Sequence, residues 1–552
     1  MLGCLLPGRP LRLRALPVLI TSILPALLLA QPSWQQPPKV VVGIVVDQMR
    51  VDFLYRYWDN FGDGGFRRLV GEGSFQRDAH YTYVPTQTAP GHASIYTGTA
   101  PGRHGIVANY PYDRRLRRSV YIARDTAVAP VGTGSSSARR SPANLLASTL
   151  ADELELRTDR RSHTVGVALK DRSAIMPMGR MGDEAYWYVG GTEGKFVTST
   201  WYRQELPGWL QAFNAKRLPE AYLDRTWDLA LPRDRYHTPL PDLNPYEAEW
   251  AEGEPATLPL DLRKVSKGGT DLDVLKDTPW GNTLTTDLAM AAIDGDSLGT
   301  DEVPDLLAVS YGSTDELQHA MGPRALEVED MYVRLDRDLA RLLRHLDEKV
   351  GTGNYTVFLT ADHGGGDVPA YLRDMKGSAG YTFMSSLYGT LDRNGLRAVV
   401  DTIKNDQVYL RADAPAGSAE AVARALNTDT AIAYATSADR LFSEASGSGL
   451  AQAMANGFMR QRCGDVLFAL RPGFFRGHPD WKEQGADHAT AWNYDTQVPV
   501  IFFGKGVEKG EVLRRTWITD VAPTVSALIG MALPNAADGR VVSEVISPGQ
   551  GR

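Results

Sequence analysis

The sequence predicts an α/β fold, with a mostly parallel central sheet, helices on both faces, and two insertions. Three apolar, β-branched runs predict it. Residues 40–46 run straight into Asp47. Residues 306–311 lead to Asp315 and, four residues on, to His319. Residues 357–360 are followed by Ala361, Asp362, His363 and three glycines. Continuously apolar runs are typical of parallel strands covered on both faces. In open α/β sheets, ligands bind beyond the carboxyl ends of the strands. Runs that repeatedly end in Asp or His therefore predict one site assembled from distant segments. Its ligands are carboxylate and imidazole, with no thiolate. That set suits zinc or a neighbouring divalent metal in a catalytic role.

The elements follow in order. After a polar, Pro-rich lead-in at 31–38, residues 39–47 read as a buried strand. Residues 66–69, before Glu-Gly, read as the end of a helix. A small-residue helix opens at Thr88 and stops near Gly98. Residues 164–169 form the next strand, with Lys170, Asp171 and Arg172 at its end. Residues 182–269 are rich in Trp, Tyr, Pro and charge and show little periodicity, so they read as a first insertion. Leu335, Leu339, Leu342, Leu343 and Leu346 give 331–350 one apolar helical face. A strand at 355–360 follows, giving strand–helix–strand order and a right-handed crossover. Residues 367–479 carry mixed patterns, with a strand at 408–410 and a helix at 419–426, and read as a second insertion. Residues 498–504 form a late core strand. Residues 519–529 form a late helix with Pro523 near its start.

Composition narrows the class. A chain of 552 residues can hold one large α/β domain with insertions, or two to three smaller ones. Net charge is −7, which argues against nucleic acid as a dedicated partner. Arg9, Arg12 and Arg14 precede an apolar stretch at 15–30, short for a membrane span. Residues 1–30 therefore read as a signal peptide cut near Ala30, with an uncleaved anchor as the competing reading. The mature protein is expected in the periplasm or secreted, as a monomer with no stable membrane insertion. Only Cys463 would remain after processing, so no intramolecular disulfide could form.

Asp47, Asp362 and His363 make one candidate three-ligand set, and Asp315, His319 and His488 a second. Each leaves room for water or substrate, as catalytic zinc requires. Two close metals can stabilise both the attacking and the leaving oxygen of an in-line phosphoryl displacement. Thr88 is the candidate nucleophile, placed where a helix N-terminus favours anions. Thr82 and Thr86 are nearby rivals. His92 reads as a structural histidine, because both sets are complete without it. Lys170 and Arg172, read as alternating positions on an extended segment, point the same way and can clamp a dianionic phosphoryl group. Asn109 can donate an amide hydrogen bond to a phosphoryl oxygen.

These motifs occur in a familiar order: Asp47-Gln-Met-Arg, Thr88-Ala-Pro-Gly-His, Thr97-Gly-Thr, His104-Gly-Ile, Leu169-Lys-Asp-Arg-Ser, Ser313-Thr-Asp, Ala361-Asp-His-Gly and His488. Together they resemble the alkaline phosphatase superfamily. The match is nearest to the phosphate-irrepressible, threonine-nucleophile alkaline phosphatases of Gram-negative bacteria, from Lys39 to about Val545. The resemblance implies an alkaline phosphatase-like fold, two Zn2+ ions and a phospho-threonine intermediate. It implies that Asp315, His319 and His488 hold one zinc, and that Asp47, Asp362, His363 and the Thr88 oxygen hold the other. It selects Thr88 over its rivals and makes Asn109, Lys170 and Arg172 the phosphoryl contacts. The implied activity is broad-specificity hydrolysis of small phosphate monoesters. The alternatives are a phosphodiesterase or nucleotide pyrophosphatase of the same superfamily, and a non-catalytic metal- or phosphate-binding protein. Ala489 departs from the pattern, since family members commonly carry Gly after the final histidine.

Overall fold

The structure is a computed structural model that describes residues 36–477 and 483–547. The expected signal peptide lies outside the described residues, as do the last two residues of the expected second insertion. The central sheet has eleven strands. Its order runs Gly510–Val512, Ser74–His80, Gln497–Gly504, Tyr355–Thr360, Val40–Val46, Asp305–Tyr311, Thr164–Ala168, Glu184–Val189, Lys195–Ser199 and Pro130–Val131; Thr516–Trp517 also pairs with Ser74–His80. The five middle strands, from Tyr355–Thr360 to Glu184–Val189, are mutually parallel. Gln497–Gly504 runs antiparallel to both its neighbours. Every residue of Val40–Val46, Asp305–Tyr311 and Tyr355–Thr360 is buried. This is what their unbroken apolar character requires.

The parallel arrangement brings the carboxyl ends of these strands together. Val40–Val46 pairs in register with Asp305–Tyr311 on one side and Tyr355–Thr360 on the other. The Asp47 amide donates to the Tyr311 carbonyl at 3.0 Å, extending the ladder into the site. The helix Thr88–Thr97 lies against this edge and ends at Gly98, which adopts the left-handed conformation. It packs so closely that a Cβ on Gly91 would sit 2.3 Å from the Asp362 carbonyl oxygen. Only glycine admits that approach.

Three expectations need correction. The first insertion, expected at 182–269, begins too early, because Glu184–Val189 and Lys195–Ser199 are strands of the central sheet. Their aromatic, partly polar composition concealed a buried strand that β-branched aliphatics would have revealed. The long helix runs Leu326–Leu346 rather than from 331, since its first turns bury Glu327, Glu329 and Asp330, which carry no apolar period. Lys170 and Arg172 do not alternate on an extended segment. Lys170 is the N-cap of the helix Asp171–Met178, and Arg172 lies in its first turn.

Within 367–477, Val400–Lys404, Gln407–Leu410, Val466–Leu470 and Ile432–Ser437 form a separate four-stranded antiparallel sheet, in that order. It has its own apolar cluster, which includes Leu387, Leu391, Val422, Leu426 and Phe468. Cys463 is buried beside it, and burial pushes its thiol up to about 11. No helix among the described residues is long and apolar enough to cross a membrane.

Candidate functional site

All ten candidate site residues converge at the carboxyl edge of the parallel strands or in the loops facing it. Asp47 follows Val40–Val46, Asp362 and His363 follow Tyr355–Thr360, and Lys170 follows Thr164–Ala168 by one residue. Asp315 and His319 lie four residues apart on the helix Ser313–Met321, so they share a face. Thr88 opens its helix after Gln87.

The ligand atoms gather around Asp47 and Asp362 on one side and Asp315 on the other, with overlap: Asp315 and His488 also group with His363, and His319 and His488 group with Asp487. His363 Nε2 lies 3.5 Å from Asp47 Oδ1 and 3.7 Å from Asp362 Oδ2. His319 Nε2 lies 3.3 Å from Asp315 Oδ1, and His488 Nε2 lies 3.8 Å from the same oxygen. The groups are adjacent, for the His363 and His488 rings stack at 3.7 Å. All three histidines are oriented alike. His319 Nδ1 donates to Ala486 O at 3.0 Å, His363 Nδ1 to Gly364 O at 2.9 Å, and His488 Nδ1 to Thr86 O at 2.7 Å. A carbonyl can only accept, so each Nδ1 carries a proton and each Nε2 is the atom turned to the site. This is the backbone support that metal-binding histidines receive.

The donor set fits a metal on a second ground. Asp47 Oδ1, Asp362 Oδ2 and His363 Nε2 are fully buried and have no hydrogen-bond partner. Each residue's other polar atom is satisfied: Asp47 Oδ2 by Lys170 Nζ at 2.8 Å, and Asp362 Oδ1 by Gln48 N at 3.2 Å. The unpaired atoms are the ones that face each other. Buried polar atoms are rarely left without a partner, and here a shared cation supplies one.

Charge tells the same story. Burial, then the negative charges of Asp315 and Asp362, raise the Asp47 carboxyl well above its ordinary range. Burial opposes the charge on Lys170, but Asp315, Asp47 and Glu316 outweigh it and hold the ammonium protonated. Burial likewise opposes His319, yet Asp315 raises it to about 10. A proton held there marks a place where the carboxylates demand positive charge. His488 is driven well below its usual value by burial and by His363, so it is neutral, as a metal ligand must be.

The remaining candidates surround Thr88. Arg172 Nη2 donates to Thr88 Oγ1 at 3.3 Å, while the buried Arg172 Nε has no acceptor. Asn109 Oδ1 accepts from Ala89 N at 2.8 Å, which leaves its amide nitrogen for a ligand. Lys170 Nζ bridges Asp47 and Asp315, one from each group. Thr86 is excluded as a rival, because its hydroxyl donates to Thr490 O at 3.0 Å. His92 is structural: Nδ1 donates to Thr88 O at 2.9 Å, and Nε2 meets Ser310 Oγ at 3.0 Å. The sequence reading missed Asp487 and Glu316. Asp487 clusters with His319 and His488, and Glu316 Oε1 lies 3.5 Å from Lys170 Nζ. Their adjacency to His488 and Asp315 was the available signal. Asp171, between the two clamp residues, accepts from Tyr121 and Arg140.

The sequence profile of the type I phosphodiesterase / nucleotide pyrophosphatase family matches residues 41–495. The chain belongs to this family. Alkaline phosphatase PafA of Elizabethkingia meningoseptica is 38% identical over 523 residues, 92% of this chain and 94% of that protein. Alkaline phosphatase PhoV of Synechococcus elongatus is 37% identical over 521 residues, 92% of this chain and 93% of its own length. The crystal structure of wild-type PafA superposes with a TM-score of 0.88, covering 93% of this chain and 99% of that one. The mostly parallel α/β architecture expected from the sequence is therefore that of the family.

The departure at Ala489 has a structural cost. Its φ is +80°, in the left-handed region that glycine adopts freely. Ala489→Gly should raise the unfolding free energy by about 1 kcal/mol. Urea unfolding at equilibrium measures this, and an unchanged or lowered midpoint would show that the backbone there is not strained.

Proposed function

We propose that this protein is a metal-dependent phosphomonoesterase, an alkaline phosphatase of broad specificity that releases inorganic phosphate. One observation carries the reading: two cations, buried Lys170 and half-buried Arg172, converge on Thr88 and the two carboxylate groups. Asp47, Asp362 and His363 would hold one zinc, with the Thr88 oxygen, and Asp315, His319 and His488 a second. Such a metal pair supplies Lewis-acid charge to both ends of an in-line phosphoryl displacement.

The chain's own residues do the rest. Thr88 gives its proton to solvent water, which returns one to the departing alkoxide, and the Thr88 oxygen attacks phosphorus at the N-terminus of its helix, where the peptide dipoles favour negative charge. The Thr88–phosphorus bond forms as the ester P–O bond breaks, leaving a phospho-threonine and an alcohol. Arg172, Lys170 and Asn109 hold the non-bridging oxygens throughout. Water entering from the side the alcohol vacated then frees phosphate and restores Thr88.

The family's own description makes a diesterase the second reading. The clamp argues against it. A monoester phosphoryl group carries nearly two negative charges at alkaline pH, a diester one. At an effective dielectric of about 20, each cation–oxyanion pair at about 4 Å contributes roughly 4 kcal/mol before desolvation. A fraction of that in the transition state gives orders of magnitude of preference, since about 1.4 kcal/mol is tenfold. Monoesters should therefore greatly outpace diesters in a small ester panel. Lys170→Ala with Arg172→Ala should cut monoester turnover far more than diester turnover; an equal fall in both would remove the clamp from specificity. Thr88→Ala should lose several orders of magnitude, and acid-quenched protein should carry one phosphate, mapped to Thr88. Phosphate on Thr82 would overturn that assignment.

Elemental analysis should find about two zinc ions per chain in these groups. Chelation should abolish turnover, and zinc should restore it better than magnesium. Full activity in metal-free protein would contradict the reading.

We also propose export, on the basic and apolar character of residues 9–30. N-terminal sequencing of mature protein should begin close to Gln31. Intact Met1 on membrane-bound protein would favour an anchor.

A further inference from the structure

The turn after Val40–Val46 holds a residue in a backbone region that does not suit its type. Met49 N donates to Val46 O at 3.2 Å, which makes Asp47 and Gln48 the central residues of a tight turn. Gln48 has a φ of +60°, at the turn position where positive φ favours glycine. A residue with a side chain is strained there, and such strain persists where the surroundings over-determine it. Gln48 is fully buried, so contact with water gives no reason to keep its side chain. Its protein contacts supply one.

Each polar group of Gln48 is spent on the ligand groups or on the helix that carries one of them. Its backbone N–H donates to Asp362 Oδ1 at 3.2 Å. Its carbonyl accepts from Gln318 Nε2 at 3.2 Å, and the neighbouring Asp47 carbonyl accepts from Thr314 Oγ1 at 2.5 Å. Thr314 and Gln318 stand on either side of Asp315 in the helix Ser313–Met321. The side-chain amide is oriented by its partners. With its nitrogen toward Asp315, it donates to Asp315 Oδ1 at 2.7 Å and to Asp315 O at 3.3 Å; the reverse orientation would set oxygen against oxygen. Glycine makes the room, for a Cβ on Gly365 would lie 2.2 Å from this amide.

Asp315 Oδ1 is the oxygen that faces His319 and His488, while Asp315 Oδ2 is taken by Lys170. The Gln48 amide therefore touches the ligand oxygen itself. At Asp362 the Gln48 N–H takes Oδ1 and leaves Oδ2 for the site. One strained residue thus orients a carboxylate from each ligand group.

We propose that Gln48 is a positioning residue for the metal pair, its side-chain amide orienting Asp315 and its backbone N–H orienting Asp362. This role presupposes the two-zinc reading of the site. A carboxylate already fixed by a hydrogen bond loses less freedom when it binds a cation, and outer partners of this kind weigh on metal affinity. The two contacts are separable. Substitution at position 48 removes the amide and keeps the backbone N–H. The group around Asp315 should then weaken, while Asp47, Asp362 and His363 keep theirs.

The test uses the full chain and measures zinc rather than turnover. Zinc is titrated against a competing chelator, and elemental analysis counts the ions retained. Wild type should show two binding steps, one of which His319→Ala abolishes. Gln48→Met keeps the length of the side chain without its donor. It should weaken that same step at least about tenfold and leave the other within a factor of about two. The metal-free variant should unfold within about 3 °C of metal-free wild type. A role in folding alone would lower that temperature and weaken both steps together. If Gln48→Met does not fold, Gln48→Gly removes the same donor and suits the left-handed backbone, and the same selective loss is expected. Two unchanged zinc steps in the variant would overturn the proposal, as would equal weakening of both. A wild type that binds no zinc would overturn the two-zinc reading, and this role with it.

Discussion

Three buried aspartates govern this structure. Asp47, Asp315 and Asp362 are each almost wholly removed from water, and their charges repel one another. Burial of like charges is unfavourable unless positive charge is placed among them. The fold meets that demand only in part. Lys170 bridges two of the aspartates, and three neutral-capable imidazoles turn their free nitrogens inward. The balance is tuned residue by residue. Asp47 stays high because of its burial and then the like charges around it, while His363 and His92 hold Asp362 below the usual range against the effect of burial. A site balanced this finely binds cations because its own carboxylates are under-compensated.

That demand explains the sheet. Ligands from residues 47, 315 and 362 meet only if three strands end at one level, and parallel pairing in strict register achieves it. A slip of one residue would turn each inward side chain to the opposite face. The same demand explains the glycine at 91, where the Thr88 helix must approach the Asp362 backbone more closely than any Cβ allows.

Much of this was legible because the signals were local. Apolar runs ending in Asp predicted the strand ends, and the Asp315–His319 spacing put two ligands on one helical face. The resemblance, not spacing, separated Thr88 from its rivals; the structure adds that Thr86 is committed to Thr490 O. What failed had a physical cause. Glu184–Val189 reads as part of an insertion because its strand is built from Tyr and Trp, yet five of its six residues are buried. Lys170 and Arg172 converge as expected, but from a helix start, because Lys170 turns the chain directly after its strand.

The second insertion bears on the proposed nucleophile from outside the pocket. Asn456 Nδ2 donates to Thr82 O at 2.8 Å, and Val84 N donates to Ala453 O at 3.2 Å, fixing the segment that enters the Thr88 helix. A Cβ on Gly457 would meet the Val84 carbonyl at 1.9 Å, so the contact is tight. On the other flank, Asn405 Nδ2 donates to Tyr110 O at 2.9 Å, one residue after Asn109. Asn109 in turn accepts from Ala89 and donates its own amide N–H to Gln87 Oε1 at 2.8 Å. The threonine and the amide expected to contact phosphate are thus held from both sides by one insertion. Displacements of about 1 Å at such groups are enough to slow a positioned reaction a hundredfold. The insertion therefore belongs to the active site's geometry although it contributes no ligand to it.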